Sequence, residues 1–161
     1  MFRTARLILK FNQILEAFGV GILALDSPTK AQICMAAADE EKIRKKTYKN
    51  LRSMMAPANR HLGPSGYESA EDFLHDAARM AAYAILGPTR MQEKMPRDPN
   101  DFAQDYVSEC KEIVGIVVAN LDDDNFDSKA FRLIVGSRQT LNREFFAIFQ
   151  ETMKRYGRTS L

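Results

Sequence analysis

The chain has 161 residues, of which 45% are hydrophobic and 27% are charged. A chain of this length buries about 68 to 70% of its unfolded surface, so one domain needs neither a metal ion nor a disulfide to be stable. The formal net charge of +2 does not select an acidic or a basic class of partner.

The first two predicted helices follow apolar spacing and a proline start signal. Apolar residues three and four positions apart predict a helix from Phe2 to about Leu25. Ser27 followed by Pro28 is typical of an N-cap and a first helical residue, so a second helix is predicted from there to about Met55.

The third and fourth helices begin at clearer signals. Ser69, with Asp72 three residues later, forms a capping box for a third helix, which we expect to end at Gly87-Pro88. The connector Thr89–Arg97 fits either a short helix or a loop. Asp98-Pro99 starts a fourth helix, whose apolar end, "IVGIVVANL", predicts that it lies innermost.

The last two predicted helices follow an acidic loop. Asp127 is the expected cap of a fifth helix, because Phe126 and Phe131 have the spacing of a hydrophobic staple. Gly136 ends that helix, and a sixth begins at Ser137 or Thr140 and stops at Gly157. We therefore predict an all-α fold, a single compact bundle of about five to six helices, with residues 1–161 forming one helical domain.

The cysteines and the short apolar runs indicate the compartment. Cys34 and Cys110 have neither a CxxC pair nor a nearby histidine, which is typical of buried thiols in a reducing compartment. The longest apolar run near the start, Ala17 to Leu25, is far below the ~20 residues of a membrane span. We expect a soluble, cytoplasmic protein that enters no membrane and binds no cofactor.

Charge is strongly segregated along the chain. Residues 1–60 carry a formal charge of +6, residues 61–92 carry −2, residues 93–127 carry −7 and residues 128–161 carry +5. These blocks are able to form opposed surfaces, so partners are predicted from local charge rather than from the net value.

The basic run from Lys42 to Arg60 contains no acidic residue. Five of its cations follow helical spacings of three and four and form a candidate nucleic-acid-binding face: Lys42, Lys45, Lys46, Lys49 and Arg52. The alternative is a solvated face, since the helix macrodipole also favours cations near a C-terminus.

A second cationic signal follows Gly136. A helix, a Gly136-Ser137 turn and a second helix beginning at Arg138 resemble a DNA-reading helix-turn-helix, which implies base or phosphate contacts by Arg138, Asn142 and Arg143. Arg132 and Ser137 depart from that pattern. Two core helices joined by a glycine turn remain the alternative.

The acidic stretch "NLDDDNFDSKAF" from Asn120 does not satisfy a calcium loop. Counting from Asp123, position 6 is Ser128 instead of glycine and position 12 is Ile134 instead of glutamate. Asp122, Asp123 and Asp124 are then solvated loop charges. They also support an alternative function, in which the acidic surface 98–127 makes the chain an adaptor or inhibitor of a basic protein, with these three aspartates as its partner-binding residues.

The pair His75-Asp76 in "FLHDAARM" resembles the metal-binding doublet of HD-domain phosphohydrolases. That resemblance implies a divalent metal held by further histidine and aspartate ligands and used to activate water. His61 is the only other histidine, and Asp122 is a candidate for the last ligand. A capped helix with a surface histidine is the other interpretation, and we predict no metal ligand here.

The preferred function is therefore non-enzymatic. We expect a helical binding protein that engages nucleic acid, or a protein associated with nucleic acid, through its basic helix faces. Catalytic residues are not assigned, because the sequence contains no phosphate loop, nucleophile elbow or paired Glu-x-x-His motif. Metal-dependent phosphohydrolysis and the acidic adaptor remain the alternatives.

Overall fold

The computed structural model describes residues 2–54, 69–93, 98–122, 126–159 and 161. Helices account for most of them: α1 (Phe2–Ala17), α2 (Ser27–Met54), α3 (Ala70–Glu93), α4 (Pro99–Ala119), α5 (Phe126–Gly136) and α6 (Arg143–Arg155), with a 3-10 helix over Arg138–Thr140. These described ranges contain no strand. The predicted all-α bundle is confirmed, and none of the described helices is long and apolar enough to cross a membrane.

Helix α1 ends eight residues earlier than the apolar pattern predicts, because Gly19 adopts a left-handed conformation with φ of 85°. The Gly19 amide donates to the Glu16 carbonyl at 2.9 Å, and the Val20 amide donates to the Leu15 carbonyl at 2.8 Å. These two bonds form a Schellman motif. The chain leaves the helix axis there, and the following connector leads back to α2.

Asp26 caps helix α2, one residue before the predicted cap Ser27. Its Oδ1 accepts a hydrogen bond from the Thr29 amide at 2.7 Å. The bonds to Thr29 lower the pKa of the Asp26 carboxyl below its ordinary value. Aspartate and serine are both common N-cap residues, and here Asp26 rather than Ser27 takes that position.

Helix α3 is the central helix of the described bundle. It packs against α1, α2, α4, α5 and α6, whereas α4 packs mainly against α3, α5 and α6. The prediction that the fourth helix lies innermost is wrong. The buried stripe of α3 is rich in alanine, including Ala77, Ala81 and Ala84, and such small side chains allow neighbours to approach on several sides. Ile116 of α4, by contrast, is 53% exposed.

The predicted N-cap residues of α3 and α4 are confirmed. The Ser69 Oγ accepts from the Asp72 amide at 3.2 Å, and the Asp98 Oδ1 accepts from the Asn100 amide at 2.9 Å. The apolar face of α4 is buried, and the Tyr106 hydroxyl donates to the Tyr83 carbonyl of α3 at 2.7 Å.

Helix α3 does not end at Gly87-Pro88 but bends there. Gly87 has φ of 76° and ψ of 174°, and the helix resumes at Pro88 and continues to Glu93. The side chain of Asn142, from the other end of the sequence, lies against this bend. The backbone N–H of Asn142 donates to the Ala84 carbonyl at 2.7 Å. The contact supplies a donor to a carbonyl that the bend removes from the helical pattern.

The chain between α5 and α6 differs from the prediction. Helix α6 begins at Arg143 rather than near Ser137 or Thr140, because Asn142 is its cap and accepts from the Glu144 amide at 2.9 Å. Gly157 ends α6 as predicted, with φ of 69°. Helix α5 begins at Phe126, so Asp127 lies in its first turn and not at the predicted cap position. The side chains of residues 126–128, on which the predicted staple depends, lie outside the described part.

Candidate functional site

The basic residues near the end of α2 lie on continuous helix. The backbone is helical from Ser27 to Met54, so positions 42, 45, 46, 49 and 52 fall on one arc of about 120°, at about 100° per residue. The segment 42–54, which we call the cationic segment, carries six basic residues and no acidic one. Lys42 is exposed, and the side chains of Lys45, Lys46, Lys49 and Arg52 lie outside the described part.

The cationic segment extends past its neighbours in the described bundle. Arg3, in the first turn of α1, forms an ion pair with Glu41, so the antiparallel helix α1 begins beside the start of the segment. The segment then continues for about 20 Å at 1.5 Å per residue. Lys10 of α1 pairs with Glu71 in the first turn of α3 at 2.8 Å. The start of α3 therefore lies beside the middle of α1, away from the cationic segment.

The predicted helix-turn-helix is not formed. Arg138 belongs to a 3-10 helix, and six residues separate the end of α5 from the first residue of α6. Asn142, expected to contact a base or a phosphate, instead caps α6 through its side chain and binds Ala84 through its backbone. A recognition helix presents free polar side chains in its first turns, and Asn142 does not meet that requirement.

Arg138 and Arg143 are exposed, but they lie far from the cationic segment. The Thr29 hydroxyl lies 3.4 Å from that of Ser137, so the start of α2 is beside the 3-10 helix. Lys42 lies about 20 Å farther along α2. The two cationic regions are therefore separate surfaces, and nucleic-acid contact by Arg138 and Arg143 stays a prediction.

Three described acidic residues of the adaptor alternative have structural roles. Asp122 forms an ion pair with Arg158, which lowers the pKa of its carboxyl. Asp98 caps α4, and Asp101 lies in its first turn, where the helix dipole favours acids. A groove of about 360 Å³ is lined by Asp98, Asp101, Gln104 and Asp105. Asp123 and Asp124 lie outside the described residues.

The His75-Asp76 pair does not gather a ligand set in the described residues. The His75 ring packs edge to face against Phe18, with ring centroids 5.3 Å apart. Burial raises the pKa of the Asp76 carboxyl. Among the described side chains, no group of three or more histidine, cysteine or acidic residues is placed to hold a metal ion. His61 falls outside them.

Two grooves adjoin the 3-10 helix, and sequence reasoning found neither. The larger, of about 660 Å³, lies between the start of α2 and the end of α5, beside Asp26, Thr29 and Arg132. The smaller, of about 260 Å³, lies between the 3-10 helix and α6. Arg138 lines both. Their walls come from distant parts of the sequence; the one local signal for the smaller groove is Phe146, which lies beside the main apolar face of α6.

No family model matches the sequence, and no curated protein or solved structure matches the chain. The cationic segment of α2 has the highest local positive charge in the sequence, and the smaller groove combines apolar with cationic side chains.

Proposed function

We propose that this protein binds nucleic acid through the cationic segment 42–54 of α2. The observation that carries the proposal is the placement of this segment: one uninterrupted helix carries six basic residues past the start of α1. The proposed role is binding rather than catalysis. The ligand is either free nucleic acid or a protein that already carries nucleic acid, because both present phosphates to the segment.

The charge and shape of the segment suit a polyanion. Duplex DNA carries one negative charge per about 1.7 Å of its axis, and basic side chains that neutralise phosphates release condensed counterions. A single α-helix fits the major groove, which is about 12 Å wide. A helix that extends about 20 Å past the other described helices reaches such a groove without steric conflict from those helices.

Asn142 has no part in this proposal, because its side chain and backbone are used in the fold. Arg138 and Arg143 are a separate surface, about 20 Å or more from Lys42 along α2. The proposal therefore predicts that the cationic segment dominates the affinity and its dependence on salt.

The test is a triple charge reversal, Lys45→Glu, Lys46→Glu and Lys49→Glu, measured by fluorescence anisotropy with labelled duplex DNA and single-stranded RNA. Wild-type affinity is expected to fall steeply with added salt. The variant is expected to lose detectable binding at physiological salt. If binding is measurable at low salt, the log–log slope of its affinity against salt concentration should be shallower by about 3.

The matched control is Arg90→Glu, Lys111→Glu and Lys154→Glu, which makes the same change in net charge at exposed positions outside α2. It is expected to bind within about threefold of wild type, since only long-range field effects remain. Circular dichroism confirms that both variants are folded. Unchanged binding by the α2 variant, or equal loss in both variants, contradicts a specific role for the cationic segment.

A further inference from the structure

The smaller groove beside α6 has an apolar floor that the core holds in place. Phe146, Phe149 and Met153 line it. Phe149 and Met153 are buried core residues, and Phe146 packs half-buried against the core, with its ring centroid 6.3 Å from that of Phe149. The shape of the floor is therefore fixed by packing rather than by mobile side chains.

Cationic side chains border this floor. Arg138, Lys154 and Arg158 line the groove, and no acidic side chain of the described residues does so. Arg158 is bound by Asp122. Arg138 and Lys154 are exposed and have no ion pair within the described ranges. Within the described residues, two cations thus face solvent beside an apolar surface without an ion-pair partner.

We propose that the groove is a docking site for an acidic peptide segment of a partner protein, which places one large apolar side chain on the floor and its carboxylates beside Arg138 and Lys154. Charge complementarity sets the sign of the ligand. An apolar anchor in a pocket with a polar rim is the common arrangement of peptide and protein interfaces.

The size of the groove favours a peptide over a small molecule. Its volume of about 260 Å³ is below the range of about 300 to 1,000 Å³ of sites that enclose drug-sized ligands. A single anchor side chain needs less room, and the rest of a peptide lies across the surface. Gln150 and Thr159 also line the groove, and both side chains are able to hydrogen-bond a peptide backbone.

The first experiment measures anisotropy of a labelled short peptide in which aspartate and glutamate residues flank one phenylalanine. Wild type is expected to bind it saturably. The double reversal Arg138→Glu with Lys154→Glu should lower the affinity at least about tenfold, because both rim charges then repel the peptide. The matched control, Arg90→Glu with Lys111→Glu, makes the same charge change outside the groove and should bind within about twofold of wild type.

The second experiment tests the apolar floor without disturbing the core. Gln150 is exposed and lines the groove, so Gln150→Trp places a ring over the floor and leaves core residues in position. It is expected to weaken binding of the same peptide. A matched peptide with serine in place of phenylalanine should bind wild type weakly, because it lacks the anchor.

Several results would overturn the proposal. They are a failure of the acidic peptide to bind, equal binding by wild type and the double reversal, and equal binding of the serine peptide. Octanoate that shifts the NMR signals of groove residues when the peptide does not would assign the groove to small amphipathic carboxylates. The α2 triple variant should bind the peptide normally, so failure of this proposal and failure of nucleic-acid binding are separate outcomes.

Discussion

Asn142 lies directly over Gly87, at the bend of the central helix. A Cβ atom at Gly87 would overlap the Asn142 Nδ2 and lie 2.7 Å from its Cγ. The backbone of Gly87, with φ of 76° and ψ of 174°, is in a region that only glycine adopts readily. Sterics and backbone conformation therefore require glycine here, and the contact joins α3 to the start of α6.

We predict that Gly87→Ala destabilises the fold by at least about 2 kcal/mol, the sum of backbone strain and overlap with Asn142. Urea denaturation measures the change. Gly136→Ala is the control: it has a helical position with nothing within 4 Å of the added Cβ, so it should be neutral or slightly stabilising. Combining Gly87→Ala with Asn142→Gly should recover part of the loss, and strict additivity would contradict the contact.

Asn142→Ala should lower the free energy of unfolding by about 1 kcal/mol, because α6 loses the acceptor for the Glu144 amide. Asn142→Asp keeps that acceptor and should be close to wild type. Neither substitution should change affinity for DNA or RNA. A loss of nucleic-acid affinity in Asn142→Ala at unchanged stability would support the sequence-based prediction that Asn142 contacts a base or a phosphate.

The Asp26 cap predicts an acid-dependent change in stability. Its bonds to Thr29 lower its pKa in the folded state, so the carboxylate contributes stability above its unfolded pKa. That contribution is lost as the pH falls through the folded pKa, below about 4. Asp26→Asn should therefore be less stable than wild type at neutral pH, with a difference that closes in acid. Thermal unfolding from about pH 7 to about pH 3 checks this, and a constant difference would count against the assignment.

Arg143 is a cation in the first turn of α6, where the helix dipole is unfavourable for it. Arg143→Glu is expected to stabilise the fold by about 0.3 to 1 kcal/mol, and Lys154→Glu, in the last turn, to destabilise it by a similar amount. Urea titrations at low and high salt measure both, and salt should reduce both effects. The same Arg143 variant, tested with DNA, decides whether this residue belongs to a nucleic-acid surface.

Local signals predicted the fold well where the partner atoms are close in sequence. Ser69, Asp98 and Gly157 act within a few residues, and the structure confirms each. The start of α6 was missed because Ser137, Thr140 and Asn142 are all suitable caps. Asn142 is the one whose backbone N–H also bonds to the Ala84 carbonyl, which is distant in sequence.

The arrangement of helices and the groove were beyond reach for the same reason. An apolar run such as the end of α4 predicts burial, but not which helix has most neighbours. Arg138 and Phe146 meet in one groove only because the 3-10 helix separates α5 from α6. The cationic spacing of α2, in contrast, needed only a continuous helix, and the backbone provides it.

The uninterrupted helix α2 sets the distance between the two proposed ligands. Positions 29 and 52 are separated by about 35 Å along one helix axis. A polyanion held at one end and a peptide held near the other would be joined by a stiff spacer instead of a flexible tether. A nucleoprotein complex long enough to reach both sites would gain avidity, because binding at one site raises the effective concentration at the other. A complex too short to reach both sites would gain none.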